Sequence, residues 1–229
     1  MNYPVILFDL DQTLFDTDKN AMQALRQLDL GFDFSFNAEH IADWNQLMRV
    51  MWAQFERKEM GRTELVDTRF VRYFDHYGIS IADGHALDQQ FQRLFFAQHA
   101  LFPHAKEILA DLKPDHHLAV ISNGSKAKQD QQLTAAGIMQ DFDQIFLAED
   151  LGAHKPDPAF FKAVRRQLPD HDQADLVVIG DSLTADIQGA NRANLASIWY
   201  NPDHLTNATA IRPTYEIDDL RQIPAMLTE

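Results

Sequence analysis

Two aspartates separated by one residue, Asp9 and Asp11, end the first apolar run of the chain, in Phe8-Asp9-Leu10-Asp11-Gln12-Thr13-Leu14. Two carboxylates just beyond an apolar strand can point into one crevice, where one attacks phosphorus and the other transfers protons. An acidic turn that solubilises the strand end is the alternative interpretation of this pair taken alone. The pair therefore needs support from elsewhere in the chain.

Two further segments carry groups suited to a phosphate ester. Ser122-Asn123-Gly124 ends another apolar run and precedes a helical segment, so its hydroxyl and backbone N–H groups can bind phosphate at the positive end of a helix dipole. Lys155 lies just before a helix that begins at Pro158, where its ammonium group could neutralise phosphoryl charge. Each segment alone also has a plainer interpretation, as an ordinary N-cap turn and as a solvated lysine.

The last acidic segment is Gly180-Asp181-Ser182-Leu183-Thr184-Ala185-Asp186, which again follows an apolar run. Together with Asp9, the carboxylates of Asp181 and Asp186 would supply the oxygen-rich, partly hydrated shell that Mg²⁺ prefers. Helix N-capping is the alternative for either aspartate alone. Because ligands of open α/β sheets bind at the carboxyl ends of the strands, the four segments together predict one shared crevice.

The elements that must position these groups are short β-branched runs separated by amphipathic stretches. This pattern predicts an α/β fold with a doubly wound, Rossmann-like parallel sheet. The predicted strands are Val5–Asp9, Leu118–Ser122, Gln144–Leu147, Leu176–Gly180 and Ser197–Tyr200. The predicted helices between them are His104–Leu112, Ser125–Ala136, Pro158–Leu168 and Thr184–Ala193, with Asp157 as an N-cap and left-handed residues at Gly137 and Asn194.

Residues 17–98 follow a different pattern, with helical periodicity, many aromatic side chains and no strand signal. This region predicts an all-helical cap domain inserted into a catalytic core made of residues 1–16 and 99–229. The two chain crossings, near residues 15–19 and 99–103, would then act as hinges.

Composition limits the partners. The net charge of −14, from 34 acidic against 20 basic residues, repels nucleic-acid polymers and anionic membranes but leaves small metal-complexed anions accessible. The absence of cysteine excludes disulfides and thiolate sites and fits a reducing compartment. Asp9 and Asp11 interrupt the N-terminal apolar run before it could form a secretory or membrane segment, so we expect a cytoplasmic protein.

These motifs resemble the haloacid dehalogenase-like (HAD) phosphohydrolase superfamily, in the branch whose helical cap follows the first strand. Within it, four stretches are similar to the house-cleaning pyrimidine 5′-nucleotidase subfamily: residues 52–70, 180–189, 199–203 and 213–217. Two positions depart from the pattern. Met48 stands where that subfamily has Asn, and Ala193-Asn194 replaces the usual Ala-Gly.

The resemblance implies a role for each motif residue. Asp9 would be the nucleophile, Asp11 the general acid and base, and Thr13 a support for their loop. Phosphate would be held by four residues: Ser122, Asn123, Gly124 and Lys155, the last also bridging to the nucleophile. Mg²⁺ would be held by four aspartates: Asp9, Asp11 through its backbone carbonyl, Asp181, and Asp186 through water.

Three further residues are candidates for contacting the substrate: Phe15, Trp52 and Arg69. The two aromatic side chains could instead belong to helix cores, and Arg69 could be an ordinary helix-surface residue.

The expected activity is Mg²⁺-dependent hydrolysis of a small phosphorylated metabolite, specifically a pyrimidine nucleoside 5′-monophosphate. Sugar phosphates or phosphoglycolate as substrates, and phosphomutase chemistry, would use the same core and stay open. A dehalogenase would need neither Asp11 nor a metal held by Asp181, and an idle binding protein would not need every motif residue. The sequence leaves the oligomeric state open.

Overall fold

The computed structural model describes residues 3–228, and the chain divides into two compact units. One unit comprises the chain up to Asp16 and from His99 onward, and the other is Thr17–Gln98. Within the first unit, the two crossing segments are joined by the backbone: Asp16 N–H donates to the Ala100 carbonyl at 3.0 Å.

The Thr17–Gln98 unit is all-helical. Its helices are α1 (Thr17–Leu25), α2 (Ala38–Glu56), α3 (Arg62–His76) and α4 (Gly84–Phe96). Their buried faces form one aromatic core, whose largest members are Trp44, Phe70, Tyr73, Phe74 and Phe91. A smaller cluster contains Met51, Phe55, Met60 and Leu65. Rings bury large apolar areas, which accounts for a compact helical unit in this short segment.

The other unit is built on a six-stranded sheet in which every neighbouring pair of strands is parallel. The strands are β1 (Val5–Phe8), β2 (His117–Ser122), β3 (Gln144–Leu147), β4 (Leu176–Gly180), β5 (Ala196–Tyr200) and β6 (Tyr215–Ile217). Their spatial order is β3-β2-β1-β4-β5-β6. The order reverses between β1 and β4, which is the point where doubly wound sheets bind ligands. The three-residue edge strand β6 was not predicted, because so short a segment carries no periodic signal.

The helices of this unit cover the sheet. They are α5 (Ala105–Leu112), α6 (Lys126–Ala136), α7 (Ala148–Leu151), α8 (Pro158–Arg166), α9 (Gln188–Arg192) and α10 (Ile223–Thr228). The predicted end signals are confirmed: the Asp157 carboxylate accepts from Ala159 N–H at 2.9 Å, and Gly137 and Asn194 have φ of 68° and 53°. Thr184–Ala193 was predicted as one helix, which is wrong for its first half, where a π-helical turn, Leu183–Ile187, precedes α9.

Alternate residues of the strands bury against opposite faces of the sheet. Ile6 and Phe8 join one core with Ile108 and Leu109 of α5, whereas Val5 and Leu7 join another with side chains of α8. Burial on both faces is the reason these strands read as continuous apolar runs.

Among residues 3–228, we find no helix with the length and apolar character needed to cross a membrane.

Candidate active site

The carboxyl ends of β1, β2 and β4 lie level with one another. Phe8, the last residue of β1, is in register with Val120 of β2 and with Ile179 of β4. Asp9 continues β1 by one hydrogen bond, from its N–H to the Ile179 carbonyl at 2.8 Å. The sheet register therefore brings the predicted motif segments to one edge.

Lys155 is 2% exposed and lies in a charged cluster with Asp9, Asp181 and Asp186. Its Nζ donates to Asp9 Oδ1 and to Asp186 Oδ1, both at 2.6 Å, and to the Ile121 carbonyl at 3.0 Å. Burial by itself would lower the pKa of Lys155, but the carboxylates of Asp186 and Asp9 raise it above its ordinary value. Lys155 is therefore a permanent cation that contacts the predicted nucleophile.

The Asn123 side chain fixes the backbone of Lys155. Its Oδ1 accepts from Lys155 N–H at 2.8 Å, and its Nδ2 donates to the Lys155 carbonyl at 2.9 Å. Asn123 is predicted as a phosphate ligand through its backbone N–H, and its side-chain amide makes this paired contact with Lys155. A phosphate contact from Asn123 would have to come from its backbone N–H.

Thr13 connects the segment after β1 with the segment after β4. Its fully buried hydroxyl accepts from Asp181 N–H at 3.1 Å and lies 3.4 Å from Asp9 Oδ2 and 3.3 Å from Asp181 Oδ1. One hydroxyl proton can be donated to only one of these carboxylates at a time. Thr13 therefore links Asp9 and Asp181 through its hydroxyl group.

Asp186 reaches the cluster because the chain makes a π-helical turn after β4. Its Oδ2 accepts from Ser182 N–H at 3.0 Å while its Oδ1 contacts Lys155. The carboxylate lies so close to β4 that a Cβ built on Gly180 would be 2.3 Å from it. Glycine is therefore required at the end of this strand. Short π-helical turns are frequent at functional sites.

Asp9 is difficult to ionise in this environment. Burial raises the pKa of its carboxyl group to about 7; Lys155 opposes the rise, and the carboxylates of Asp186 and Asp11 add to it. A carboxylate with a strongly displaced pKa in a charged cluster is a frequent property of reactive sites. An additional cation would favour the ionised form of Asp9.

A divalent cation fits this cluster. Asp9, Asp181 and Asp186 each offer one oxygen, and these oxygens lie within 4.8 Å of one another. Adding Asp11 gives four carboxylates, against the two ammonium groups of Lys155 and Lys128 that contact them. With all four carboxylates ionised, the named groups would carry two more negative charges than positive ones, and an all-oxygen donor set is typical of Mg²⁺ sites.

The predicted residues Asp11 and Ser122 are joined by two residues of α6 that we did not predict, Lys128 and Gln129. Lys128 Nζ donates to Asp11 Oδ1. Gln129 Nε2 donates to Asp11 Oδ2 and to Ser122 Oγ, both at 2.9 Å. Their sequence signal is weak, a polar pair in the first turn of the helix that follows Ser122-Asn123-Gly124.

Gly124 is also constrained by this network. Its N–H donates to Ser122 Oγ at 2.9 Å, so this group, which we expected to bind phosphate, has a partner inside the turn. A Cβ on Gly124 would lie 2.1 Å from Gln129 Nε2, so a larger residue here would displace the Gln129 amide.

The three residues expected to contact substrate lie in different surroundings. Phe15 is fully buried in the core beside β1, and its backbone bridges to Leu101, so its substrate contact stays a prediction. Arg69 is only 8% exposed and pairs with Asp88 at 2.5 Å, so the helix-surface alternative is wrong, whereas the substrate contact stays a prediction. Trp52 is half-buried and packs edge-on against Phe55 at 5.6 Å.

Comparison with known proteins gives a consistent result. The sequence profile of the haloacid dehalogenase-like hydrolases matches residues 6–200. The pyrimidine 5′-nucleotidase PynA of Streptococcus pneumoniae is 37% identical over 225 residues, which cover 95% of this chain and 92% of that protein. The pyrimidine 5′-nucleotidase YjjG of Escherichia coli is 25% identical, with 99% of each chain covered.

A solved structure of the HAD-hydrolase YfnB of Bacillus subtilis matches with a TM-score of 0.93 at 33% identity, and all of both chains is covered. That protein was crystallised bound to magnesium, and its structure reveals interdomain movement.

Proposed function

The chain belongs to the haloacid dehalogenase-like hydrolases, and from that premise we propose that it hydrolyses phosphate monoesters through an aspartyl-phosphate on Asp9. The observation that carries this proposal is the buried Lys155 ammonium group, which contacts Asp9 Oδ1 and Asp186 Oδ1 at 2.6 Å in a cluster that also contains Asp181. Lys155 holds one Asp9 oxygen in place and neutralises charge beside it. Asp9 Oδ2 is then the oxygen suited to attack.

In the first step, Asp9 forms an O–P bond to the phosphate ester while the bond from phosphorus to the leaving oxygen breaks. Asp11 gives its proton to that leaving oxygen. In the second step, Asp11 takes a proton from water, the water oxygen bonds to phosphorus, and the Asp9 O–P bond breaks. Inorganic phosphate is released and Asp11 is protonated again, so the cycle closes without another reactant.

The phosphate oxygens would be held by the turn after β2, through the Ser122 hydroxyl and the backbone N–H of Asn123. Gly124 N–H and Lys155 Nζ would each exchange a present hydrogen-bond partner for a phosphate oxygen. The helix α6 begins directly after this turn, and helix N-termini favour anions. Asn123 contributes by keeping Lys155 in position rather than through its own amide.

We assign Mg²⁺ to Asp9, Asp181 and the backbone carbonyl of Asp11, with Asp186, whose oxygens accept from Lys155 and Ser182, acting through water. The bound ion would neutralise phosphate charge and orient the ester. Thr13 would keep the two direct carboxylate ligands together.

We propose that the substrate is a pyrimidine nucleoside 5′-monophosphate. We further propose that the unit containing Asp9 and Lys155 catalyses the reaction and that the Thr17–Gln98 unit selects the substrate. The support is the similarity over nearly full length to two proteins named pyrimidine 5′-nucleotidases. Met48 lies on α2, at a position where the subfamily pattern has Asn. Its thioether is a poorer hydrogen-bonding partner for a base than an amide is. Sugar phosphates and phosphoglycolate are the second candidates.

Phosphate release should be measured with UMP and dTMP, with the purine nucleotides AMP and GMP, and with phosphoglycolate and glucose 6-phosphate. We expect the pyrimidine nucleotides to have the highest kcat/KM, and excess chelator to abolish all activity until Mg²⁺ is restored. A higher kcat/KM for sugar phosphates or phosphoglycolate would replace the nucleotide assignment but keep the phosphatase. Full activity in chelator would overturn the metal assignment.

A further inference from the structure

Lys128 and Gln129 together hold both oxygens of the Asp11 carboxylate. Lys128 Nζ donates to Oδ1, and Gln129 Nε2 donates to Oδ2 at 2.9 Å. The two donors are consecutive residues in the first turn of α6, more than 110 positions away from Asp11 in the chain. One helix turn therefore sets the orientation of the carboxylate plane.

The two donors are themselves well fixed. The Lys128 side chain is 8% exposed although it carries a full charge, and Gln129 is fully buried. Gln129 Nε2 also donates to Ser122 Oγ, which accepts from Gly124 N–H as well. The turn after β2 and the Asp11 side chain are thus connected through one buried amide, and a buried charge held in such a network is costly to move.

The Asp11 side chain, by contrast, is one-third exposed and lies in the segment between β1 and α1. A short side chain in this position would exchange between rotamers unless other groups restrain it. In the proposed cycle it must be placed twice, once toward the leaving oxygen and once toward the attacking water, and small misplacements of a reacting group lower rates strongly. Each carboxylate oxygen has two acceptor sites, so the two donors leave room for the transferred proton.

We infer that Lys128 is a positioning residue, which acts in catalysis by orienting the Asp11 carboxylate with the help of Gln129. This inference rests on the proposed phosphatase function. Two other roles are possible for a lysine at this place, direct contact with the substrate phosphate and a purely structural ion pair. In either of these roles, the effect of replacing Lys128 on the rate would depend neither on the leaving group of the substrate nor on the presence of the Asp11 carboxylate.

The test uses Lys128→Met, which removes the charge but keeps an unbranched side chain, and Lys128→Arg, which keeps the charge. For a nucleotide, whose leaving group needs protonation, we expect Lys128→Met to lower kcat about 10- to 100-fold, a part of what general acid–base catalysis contributes. For p-nitrophenyl phosphate, the initial burst of p-nitrophenolate should stay within about threefold of wild type, because that leaving group needs little protonation. Lys128→Arg should recover activity to within about tenfold of wild type.

A double-mutant cycle with Asp11→Asn separates positioning from the other roles. If Lys128 acts through Asp11, Lys128→Met should change the rate less than about threefold in the Asp11→Asn background. The matched control is Lys113→Met, which breaks another Lys–Asp pair, with Asp143 at 2.6 Å, near the N-terminal ends of β2 and β3, and should leave kcat at wild type.

Equal losses for both substrates that persist with Asp11→Asn would overturn positioning in favour of phosphate contact. A loss of thermal stability with unchanged kcat would make the pair structural and would also overturn it. If the wild type is active and Lys128→Met has the same kcat as the wild type, the positioning role is wrong but the proposed phosphatase function stands. Wild type inactive on every phosphate ester rejects the proposed function and this inference with it.

Discussion

At the scale of single residues, the two aspartates after β1 differ in their surroundings. The Asp9 side chain is 9% exposed and contacts Lys155, whereas that of Asp11 is 33% exposed and contacts Lys128. The buried Asp9 carboxylate is held by Lys155, which suits its proposed roles as nucleophile and metal ligand. The more exposed one can exchange protons with a leaving group and with water.

Replacing either aspartate should therefore have different consequences. Asp9→Asn removes the nucleophile, so no phosphoenzyme should form and turnover should fall to background. Asp11→Asn should still bind Mg²⁺ through its backbone but lose roughly 10²- to 10⁴-fold in nucleotide turnover. Intact-mass spectrometry and single-turnover kinetics measure both effects.

The exposed Asp115, which lies before β2, provides the control, since Asp115→Asn should leave both readouts unchanged. A phosphorylated Asp9→Asn protein would show that another residue is the nucleophile. An Asp11→Asn enzyme as fast as wild type on nucleotides would remove the acid and base role.

At the scale of secondary-structure elements, α3 and α4 are joined by a buried ion pair. Arg69 Nε contacts Asp88 Oδ1 at 2.5 Å, and Gln92 also donates to the Asp88 carboxylate. The Arg69 guanidinium carbon lies 4.8 Å from the centre of the Phe91 ring. This arrangement satisfies the charge inside the helical unit, which supports a structural role for Arg69.

Breaking this pair from one side should destabilise the protein. Arg69→Met or Asp88→Leu alone should cost roughly 3–5 kcal/mol of unfolding free energy, because each leaves a buried charge without its partner. The double variant, with two apolar side chains, should recover most of that loss. Denaturant unfolding of the three variants measures this directly.

The KM for substrate tests the alternative role of Arg69, contact with the substrate. The matched control is Arg72→Met, which removes an exposed arginine of the same helix. If Arg69→Met raised KM strongly while stability stayed at wild type, Arg69 would be a substrate contact after all.

At the scale of the whole molecule, the chain is strongly acidic. Binding of Mg²⁺ to its acidic cluster should therefore increase the free energy of unfolding. A ligand that binds only the folded state stabilises it by about 2.7 kcal/mol at a hundred times Kd. For a chain of this size, that corresponds to a rise in Tm of roughly 5–10 °C. We expect this rise with Mg²⁺ in calorimetry or differential scanning fluorimetry.

Asp181→Asn should abolish the rise in Tm, because it removes a direct ligand of the proposed site. Ca²⁺ should support hydrolysis poorly, since it favours more ligands and longer bonds than Mg²⁺. Equal Tm values for wild type with and without Mg²⁺ would contradict the metal assignment independently of any activity measurement.

Five of the six strands, and the positions of the reactive groups along them, could be predicted from the sequence. Strands buried on both faces must be apolar throughout, so β1 and β4 could be located from their apolar runs, and a polar residue that ends such a run must lie at the sheet edge. The left-handed positions at Gly137 and Asn194 followed from local backbone sterics. All of these properties depend on neighbouring residues only.

Contacts between distant residues were decided by the tertiary structure alone. Lys128 meets Asp11 across 117 positions, and the Asn123 amide meets the Lys155 backbone across 32. Arg69 is buried because α4 places Asp88 opposite it, and no local pattern distinguishes it from an exposed helix arginine. Side-chain partners of this kind depend on how strands and helices pack together, so residue type and spacing could identify the reactive groups but not the residues that hold them in place.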